Sequence, residues 1–368
     1  MTQGKSRVGQ EEFRAKERRL RRLMDERGFP HLLLASQANF SWLTGGRGHI
    51  LLASEEACAG LLLTPGEVLL LTNNIELRRL QEEELPGLPV SARQVGWDER
   101  RTLLSMVQDI CGVAAPASDL DPVVAATIAP LRWTLCAEEQ ARYRESCRLA
   151  ALALEEVCQA VRPGQSEFRI AGLVSATTYE RGLDPVLILV ASDERVHTRR
   201  HALPTEERVE RYAMLVLCAR RHGLIAAATR LVHVGPPDAE LRRRHRAVAT
   251  IDAAMIAGTR PGTLVRDIFA RAVRAYADAG FPDEWRRHHQ GGLTGYRGRE
   301  YFATAESVES VAAGQAFAWN PSVAGAKSED TVLVGPNGPE VLTSTGNFPT
   351  IEVEVGGTGL RRPDILVL

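Results

Sequence analysis

The sequence predicts a two-domain protein, in which an α/β domain precedes a larger α+β domain built from two related halves. Strand-like and helix-like segments alternate over the first 130 residues, which is typical of an α/β domain. A pattern of helix, turn, helix and strands then occurs twice. With 368 residues, of which 44% are hydrophobic and 25% charged, the chain can form two cores. We therefore predict domains at residues 1–130 and 131–368.

The first domain is predicted from helix-ending and hairpin signals. A charged helix over residues 10–27 ends before Gly28 and Pro30, and an apolar strand follows at residues 31–34. The segment Thr64-Pro65-Gly66-Glu67 separates two leucine-rich runs and predicts a hairpin. The remaining predictions are a short helix at 36–43, helices at 74–84 and 99–111, and loops at 114–118 and 130–134.

The second domain carries the repeat. A long predicted helix at 138–161 leads into Arg162-Pro163-Gly164, and a second one at 238–257 leads into Arg260-Pro261-Gly262. Each triplet is followed, 18 residues after its glycine, by another glycine, Gly182 or Gly280, so the offset between the copies is 98 throughout. We interpret this as a pseudo-twofold repeat, and ligand sites tend to lie in the cleft between such halves.

One stretch concentrates the residues that could do chemistry. Residues 285–334 contain the pair His288 and His289 beside Gly291 and Gly292, and then two predicted strands, 316–319 and 331–334, joined by a turn-rich segment. Imidazoles and carboxylates near a strand hairpin suit proton transfer or metal ligation. Glycines next to a histidine allow a substrate or another strand to approach the backbone. A solvated loop followed by a hairpin is the simpler alternative.

The first half contributes a histidine of its own. His201 lies in a loop before Ala202-Leu203-Pro204, and predicted strands follow at residues 214–218 and 224–234, the second of which contains Thr229-Arg230. A lone histidine is usually solvated or structural. A cleft formed by two halves needs a contribution from each, so we predict that His201 faces it.

These motifs, in this order, resemble the pita-bread hydrolase family of prolidase, aminopeptidase P, methionine aminopeptidase and creatinase. The resemblance covers nearly the whole chain, including Asn39-Phe40-Ser41-Trp42-Leu43-Thr44-Gly45 in the first domain and Ser328-Glu329-Asp330-Thr331 in the second. It implies a creatinase/prolidase-like N-terminal domain and a pita-bread domain with a curved antiparallel sheet. It also implies a homodimer.

The metal-dependent members hold two divalent ions with two Asp, one His and two Glu. The resemblance places the histidine at His289, with His288 as the fallback, and one glutamate at Glu329. The other three positions carry Cys218-Ala219, Ala227 and Asn320. Two divalent ions need anionic oxygen ligands, and one carboxylate with one imidazole cannot hold them. We therefore predict no metal and no other cofactor.

Three hypotheses about function remain. The first is a metal-independent hydrolase of a small C–N substrate, such as a dipeptide or amidino compound, because creatinase has a histidine at the position that His201 matches. Its predicted catalytic residues are His201, His289 and Glu329, and its predicted substrate-binding residues are His288, Arg230, Arg297, Arg299 and Asn320. The second is a silent peptide- or partner-binding relative. The third is an Xaa-Pro dipeptidase with a rearranged metal site.

Composition limits the partners. The net charge of -1 gives no general attraction to nucleic acid or anionic membrane, and no apolar run approaches the ~20 residues of a membrane helix. The N-terminal residues have no apolar core typical of a secretory signal. We predict a cytoplasmic protein with a small-molecule or short-peptide ligand and no nucleic-acid or membrane partner.

Overall fold

The computed structural model of the chain describes residues 8–112 and 116–368. The chain divides into two compact units, Met1–Trp133 and Thr134–Leu368. Both combine helices with sheets, so the predicted mixture of α and β structure is confirmed. The predicted loop at 114–118 lies partly outside the described residues.

The first unit is a five-stranded mixed sheet with helices. Its strands are β1 (Leu32–Ser36), β2 (Glu56–Leu63), β3 (Val68–Asn73), β4 (Ser91–Val95) and β5 (Ala117–Ser118), in the spatial order β4-β3-β2-β1-β5. Its helices are α1 (Gln10–Arg27), α2 (Gln37–Thr44), α3 (Leu77–Arg79), α4 (Leu103–Cys111), α5 (Pro122–Ile128) and α6 (Pro130–Trp133).

The predicted helices and strands of this unit are present, with two differences at their edges, but the predicted loop at 130–134 was wrong because residues 130–133 form helix α6. Helix α1 has the predicted bounds because Gly28 ends it in the left-handed conformation, with φ 68°. Helix α4 begins four residues later than predicted, because Thr102 and Ser105 form a capping box there. The predicted helix at 74–84 contains α3 and a π-helical turn, Leu80–Glu84.

The second unit contains one larger antiparallel sheet, one larger mixed sheet, two further strand pairs and five α-helices. Its helices are α7 (Ala137–Ala160), α8 (Glu167–Glu180), α9 (Glu194–Thr198), α10 (Ala239–Gly258) and α11 (Val265–Asp278). Its strands are β6 (Asp184–Ser192), β7 (Tyr212–Arg221), β8 (Leu224–His233), β9 (Gly291–Thr294), β10 (Tyr301–Phe302), β11 (Ala316–Trp319), β12 (Ser322–Val323), β13 (Ala326–Lys327), β14 (Asp330–Gly335), β15 (Gly338–Val341), β16 (Thr350–Val355), β17 (Thr358–Pro363) and β18 (Ile365–Val367).

The two halves of this unit repeat at the level of single hydrogen bonds. The backbone N–H of Gly164 donates to Val209 O, and that of Gly262 donates to Val311 O, both at 2.8 Å. Both glycines are left-handed, with φ 85° and 86°, which only glycine adopts readily. The reciprocal bonds, from Val209 N to Gln165 O and from Val311 N to Thr263 O, are also present. The pseudo-twofold repeat is thus visible in the backbone.

The sheets of the two halves are joined by several hydrogen bonds, one of them from Ile225 N to Gly295 O at 2.8 Å. One sheet has the order β18-β8-β7-β6 and the other β10-β9-β11-β14-β15. An isolated antiparallel bridge, in which Thr229 N donates to Glu329 O at 3.0 Å, joins β8 to the residue before β14. Helix α7 packs on β8 and β7. Glu329 therefore lies on the seam between the halves.

Within the described ranges, no helix combines the length and the apolar character that a membrane crossing requires.

Candidate functional site

Three histidines from both halves of the second unit form one cluster. One ring nitrogen of each of His201, His288 and His289 lies within 4.8 Å of those of the other two. The Nε2 atoms of His201 and His288 are 3.0 Å apart, so one ring donates a hydrogen bond to the other. The rings of His288 and His289 are stacked with centroids 4.4 Å apart. The structure brings together the loop after α9 and the segment before β9.

An ion pair next to the cluster fixes this arrangement. The guanidinium of Arg200, the neighbour of His201, donates to the carboxylate of Glu284. Glu284 begins the 3-10 turn that ends just before His288, and it also accepts from Ala324 N at 3.0 Å. The side chains of Arg200 and Glu284 are about four-fifths buried, with exposed fractions of 22% and 17%. The pair therefore holds the two histidine-bearing segments together.

Glycines place the histidine pair against the sheet. A Cβ on Gly291 would lie 2.0 Å from Ala318 O on β11, and one on Gly292 would lie 2.1 Å from Tyr301 O on β10. The close approach is made by the protein's own strands on both sides of β9. The side chain of Gln290 donates to His288 O at 2.6 Å and fixes the segment from its other end.

The carboxylate of Glu329 lies among two cations and a hydroxyl. It accepts from Lys327 Nζ at 2.7 Å, from Arg299 Nη2 at 3.2 Å and from Thr229 Oγ1 at 2.8 Å. The side chains of Glu329 and Lys327 are 3% and 5% exposed. The seam of the two halves therefore contains a buried group of charged residues that carries one more positive than negative charge.

Burial and these charges set the protonation of the site. Burial alone would raise the pKa of Glu329, but the charges of Lys327 and Arg299 lower it to about 2. Burial, and then the charge of Lys327, lowers the pKa of His201, and the same two causes lower that of His288 to about 2. Burial and the charge of Arg299 lower the pKa of His289 to about 4. The carboxylate is ionised and the imidazoles are neutral at pH 7.

Arg230 is not available to a substrate, which corrects its assignment as a substrate-binding residue. Its guanidinium is buried, and all five N–H groups are used by Glu155, Asp330 and the carbonyl oxygens of Thr229 and Thr343. Asp330 itself bonds Arg230, Arg362 and Thr343. Glu329 and Asp330 thus point to opposite faces, as alternation along an extended segment predicts.

Three other predicted positions differ in their surroundings. Arg299 is nine-tenths buried beside Glu329, whereas the side chain of Arg297 is exposed. Asn320 follows β11 and is 2% exposed, and its Oδ1 has no hydrogen-bond partner among the described residues. Cys218 and Ala227 face each other across β7 and β8. Burial and the charge of Glu329 raise the pKa of the Cys218 thiol to about 11.

Sequence reasoning missed Lys327 and Glu284. Lys327 precedes Glu329 by two residues, and side chains two apart in an extended segment share a face. That spacing could have placed the ammonium group beside the carboxylate. Glu284 had no such signal, because its partner Arg200 is far away in the sequence.

Two family models match the chain. That of metallopeptidase family M24 matches residues 141–336, and that of the creatinase/prolidase N-terminal domain matches residues 17–148. An uncharacterised peptidase of Staphylococcus saprophyticus is 23% identical over 228 residues, which cover 59% of this chain and 64% of the relative. An Xaa-Pro dipeptidase of Pyrococcus horikoshii is 22% identical over 210 residues, which cover 55% and 60%. The chain thus spans less than two thirds of the length of these curated relatives.

Solved structures share the fold. The prolidase from Pyrococcus horikoshii OT3 superposes with a TM-score of 0.74 at 18% identity and covers 90% of this chain and 98% of that one. The N-terminal domain of FACT complex subunit SPT16 from Cicer arietinum superposes with a TM-score of 0.71 at 14% identity, with 92% and 98% covered. At these identities the likeness establishes the fold alone.

Proposed function

Starting from the fact that the chain belongs to metallopeptidase family M24, whose model matches residues 141–336 of its 368, we propose that it hydrolyses a small C–N substrate without a metal pair. The resemblance to the pita-bread family and the predicted fold class are confirmed by that match and by the prolidase structures. The substrate class, a dipeptide or amidino compound, and the loss of the metal centre are the proposal.

The residues at the five family positions do not fit a pair of divalent ions. Cys218 is a thiol whose pKa of about 11 keeps it protonated, Ala227 has no ligand atom, and Asn320 is neutral. Only His289 and Glu329 match the family's ligands. A dinuclear centre needs several anionic oxygens, both to bridge the ions and to balance their charge.

The single observation that carries the proposal is the ammonium group of Lys327, buried 2.7 Å from Glu329. The one carboxylate that matches a family ligand is already paired with two fixed cations, Lys327 and Arg299. Two divalent ions beside it would add four positive charges to a site that has an excess of positive charge. Repulsion in a poorly solvated site makes that arrangement costly.

Each residue of the site can have a distinct role in hydrolysis. The neutral imidazole of His201 takes a proton from the attacking water and returns it to the leaving nitrogen, as a general base and then acid. The charges of Lys327 and Arg299 stabilise the negative oxygen that develops at the attacked carbon. Nε of Arg299 is buried and has no acceptor among the described residues, which suits a substrate carboxylate.

The other predicted roles are kept as parts of this proposal. His289 assists His201, and Glu329 orients the substrate indirectly by holding Lys327 and Arg299. His288 and Asn320 lie at the site and can contact substrate. The exposed ring of Phe302, 4.6 Å from the His289 ring, offers an apolar wall. A homodimer in the cytoplasm remains our prediction.

A silent binding protein is the second candidate. The N-terminal domain of a FACT complex subunit has this fold, so the fold also occurs in a component of a protein complex. The third hypothesis, an Xaa-Pro dipeptidase with a rearranged metal site, requires acids that can replace Cys218, Ala227 and Asn320. Asp330, which is adjacent to Glu329, is engaged with arginines on the opposite face.

The test is hydrolysis of a panel of Xaa-Pro dipeptides and creatine-like compounds, with and without a strong chelator. We expect turnover that survives the chelator and is abolished by His201→Ala. The variant His197→Ala removes another exposed histidine four residues earlier and serves as the matched control. Turnover that the chelator abolishes supports the dipeptidase, and no turnover on any compound supports the binding protein.

A further inference from the structure

We propose that His201, His288 and His289 bind one divalent transition-metal ion of the Zn²⁺ type, at a site that shares only His289 with the family's dinuclear centre, and that the bound ion blocks hydrolysis. Three neutral imidazoles and an open fourth position form a common ligand set for Zn²⁺. Of these residues only His289 matches a ligand position of the family.

The spacing of the three rings fits one ion. Zn²⁺–N bonds are about 2.0–2.1 Å long, so three nitrogens around one ion lie about 3.4 Å apart. The nearest pair, Nε2 of His201 and Nε2 of His288, is already 3.0 Å apart, and all three ligand nitrogens fall within 4.8 Å of one another. Each nitrogen needs to move by less than about 1 Å to reach such bond lengths.

An unpartnered nitrogen atom of His289 is consistent with a missing ligand. Its Nδ1 is buried and has no hydrogen-bond partner among the described residues. Buried polar atoms are nearly always satisfied, by protein, water or an ion. Coordination through one nitrogen would also fix the tautomer of each ring.

The neighbouring charges make a specific prediction about affinity. The excess positive charge of Lys327 and Arg299 over Glu329 weakens the binding of any cation nearby. Removing the charge of Lys327 must therefore strengthen the binding of Zn²⁺, by about tenfold for a single charge at close range.

A bound ion would prevent the proposed chemistry of His201, because the lone pair that accepts the proton would be coordinated. The predicted inhibition of hydrolysis rests on the proposed function, whereas the predicted binding of Zn²⁺ does not. The two can therefore fail separately: binding without any hydrolysis refutes the proposed function and leaves the metal site in place.

The experiment titrates the full chain, freed of metal by dialysis against chelator and carrying no histidine tag, with ZnCl₂ in a calorimeter and with CoCl₂ in an absorption spectrometer. We expect one ion per chain and tetrahedral Co²⁺ bands without the thiolate charge-transfer band of a cysteine ligand. His201→Ala should weaken binding by about 100-fold, since loss of a ligand costs at least as much as loss of an outer partner. His201 is exposed, so this variant should fold.

The controls isolate the cluster. His197→Ala should bind Zn²⁺ like the wild type, and Lys327→Met should bind it more tightly. Stoichiometric Zn²⁺ should stop any turnover, and chelator should restore it. An absence of binding, two ions per chain, or unchanged affinity in His201→Ala would each overturn the proposal.

Discussion

Replacing the two partners of the Lys327–Glu329 pair should have unequal effects on stability. Glu329 has three partners, Lys327, Arg299 and Thr229, whereas Glu329 is the one carboxylate within ion-pair distance of Lys327 among the described residues. Glu329→Gln therefore leaves a buried ammonium uncompensated. Lys327→Met leaves the carboxylate with a guanidinium and a hydroxyl, and methionine fills most of the vacated volume.

The magnitudes follow from burial. Removing one partner of a buried ion pair costs about 3–5 kcal/mol, because the other charge is left without compensation. We expect that cost for Glu329→Gln and about 1–2 kcal/mol for Lys327→Met, since the hydrogen bonds that remain to Glu329 retain part of the stabilisation. The double variant should cost less than the sum of the two, with a coupling free energy of about 2–3 kcal/mol.

The assay is urea unfolding of metal-free protein at pH 7, followed by circular dichroism and tryptophan fluorescence. Because the chain has two compact units, the unfolding transition that shifts in these variants is assigned to the second unit. The dependence of the unfolding free energy on urea concentration should stay constant among the variants. A cost for Lys327→Met equal to or above that of Glu329→Gln would refute the reasoning. So would a Glu329→Gln variant as stable as the wild type.

Three further predictions concern pH, packing and positioning. The folded-state pKa of Glu329 is about 2, below the ordinary glutamate value of 4.5, so its stabilisation is fully present above pH 4.5 and is lost as the pH falls toward 2; the cost of Glu329→Gln, measured by unfolding at each pH, should therefore shrink over that range and stay constant above it. Gly291→Ala should lower the free energy of unfolding by about 3 kcal/mol or more, because its Cβ would lie 2.0 Å from Ala318 O at a φ of 100°. Gly298→Ala, whose Cβ would have nothing within 4 Å, should change it little in the same urea unfolding experiment. Glu284→Gln should lower kcat about tenfold and destabilise the fold by about 1–3 kcal/mol, because it leaves the largely buried Arg200 without its charge partner and so loosens His201; equal kcat values for this variant and the matched control Arg286→Gln, on the same 3-10 turn, would show that the pair positions nothing.

Local signals in the sequence were sufficient for the buried strands and the long helices of the fold. The proline and glycine of each repeat stop a helix, and the left-handed conformation of Gly164 and Gly262 explains why both copies keep a glycine there. Strand β4, Ser91–Val95, was missed because it lies at an edge and is largely exposed, so it carries no apolar run. The strands that were found are those whose residues are buried on both faces.

The site was only partly predictable, because most of its contacts join residues that are far apart in the sequence. The segments that bear His201 and His288 could be identified, but which side chains meet depends on contacts between residues far apart in the sequence. Arg230 was assigned to a substrate because an arginine near a cleft suits a carboxylate. Its five donors are instead taken by Glu155, Asp330 and backbone carbonyls, and all of these partners except Thr229 lie 75 to 113 residues away. No local pattern carries that information.

The charge of Lys327 bears on whether a pair of divalent ions can bind at the seam between the two halves. A pair of divalent ions would bring four positive charges and would need several carboxylates, whereas one ammonium brings a single charge and needs one. This site has one carboxylate on the seam of its two halves, and Lys327 and Arg299 already over-compensate it. A triple variant with Cys218→Asp, Ala227→Asp and Asn320→Glu should therefore fail to bind a metal pair while Lys327 remains. It should bind the pair only once Lys327 is also replaced by a neutral residue. Metal content of the triple and quadruple variants measures this directly, and two ions in the triple variant would show that the ammonium group does not exclude them.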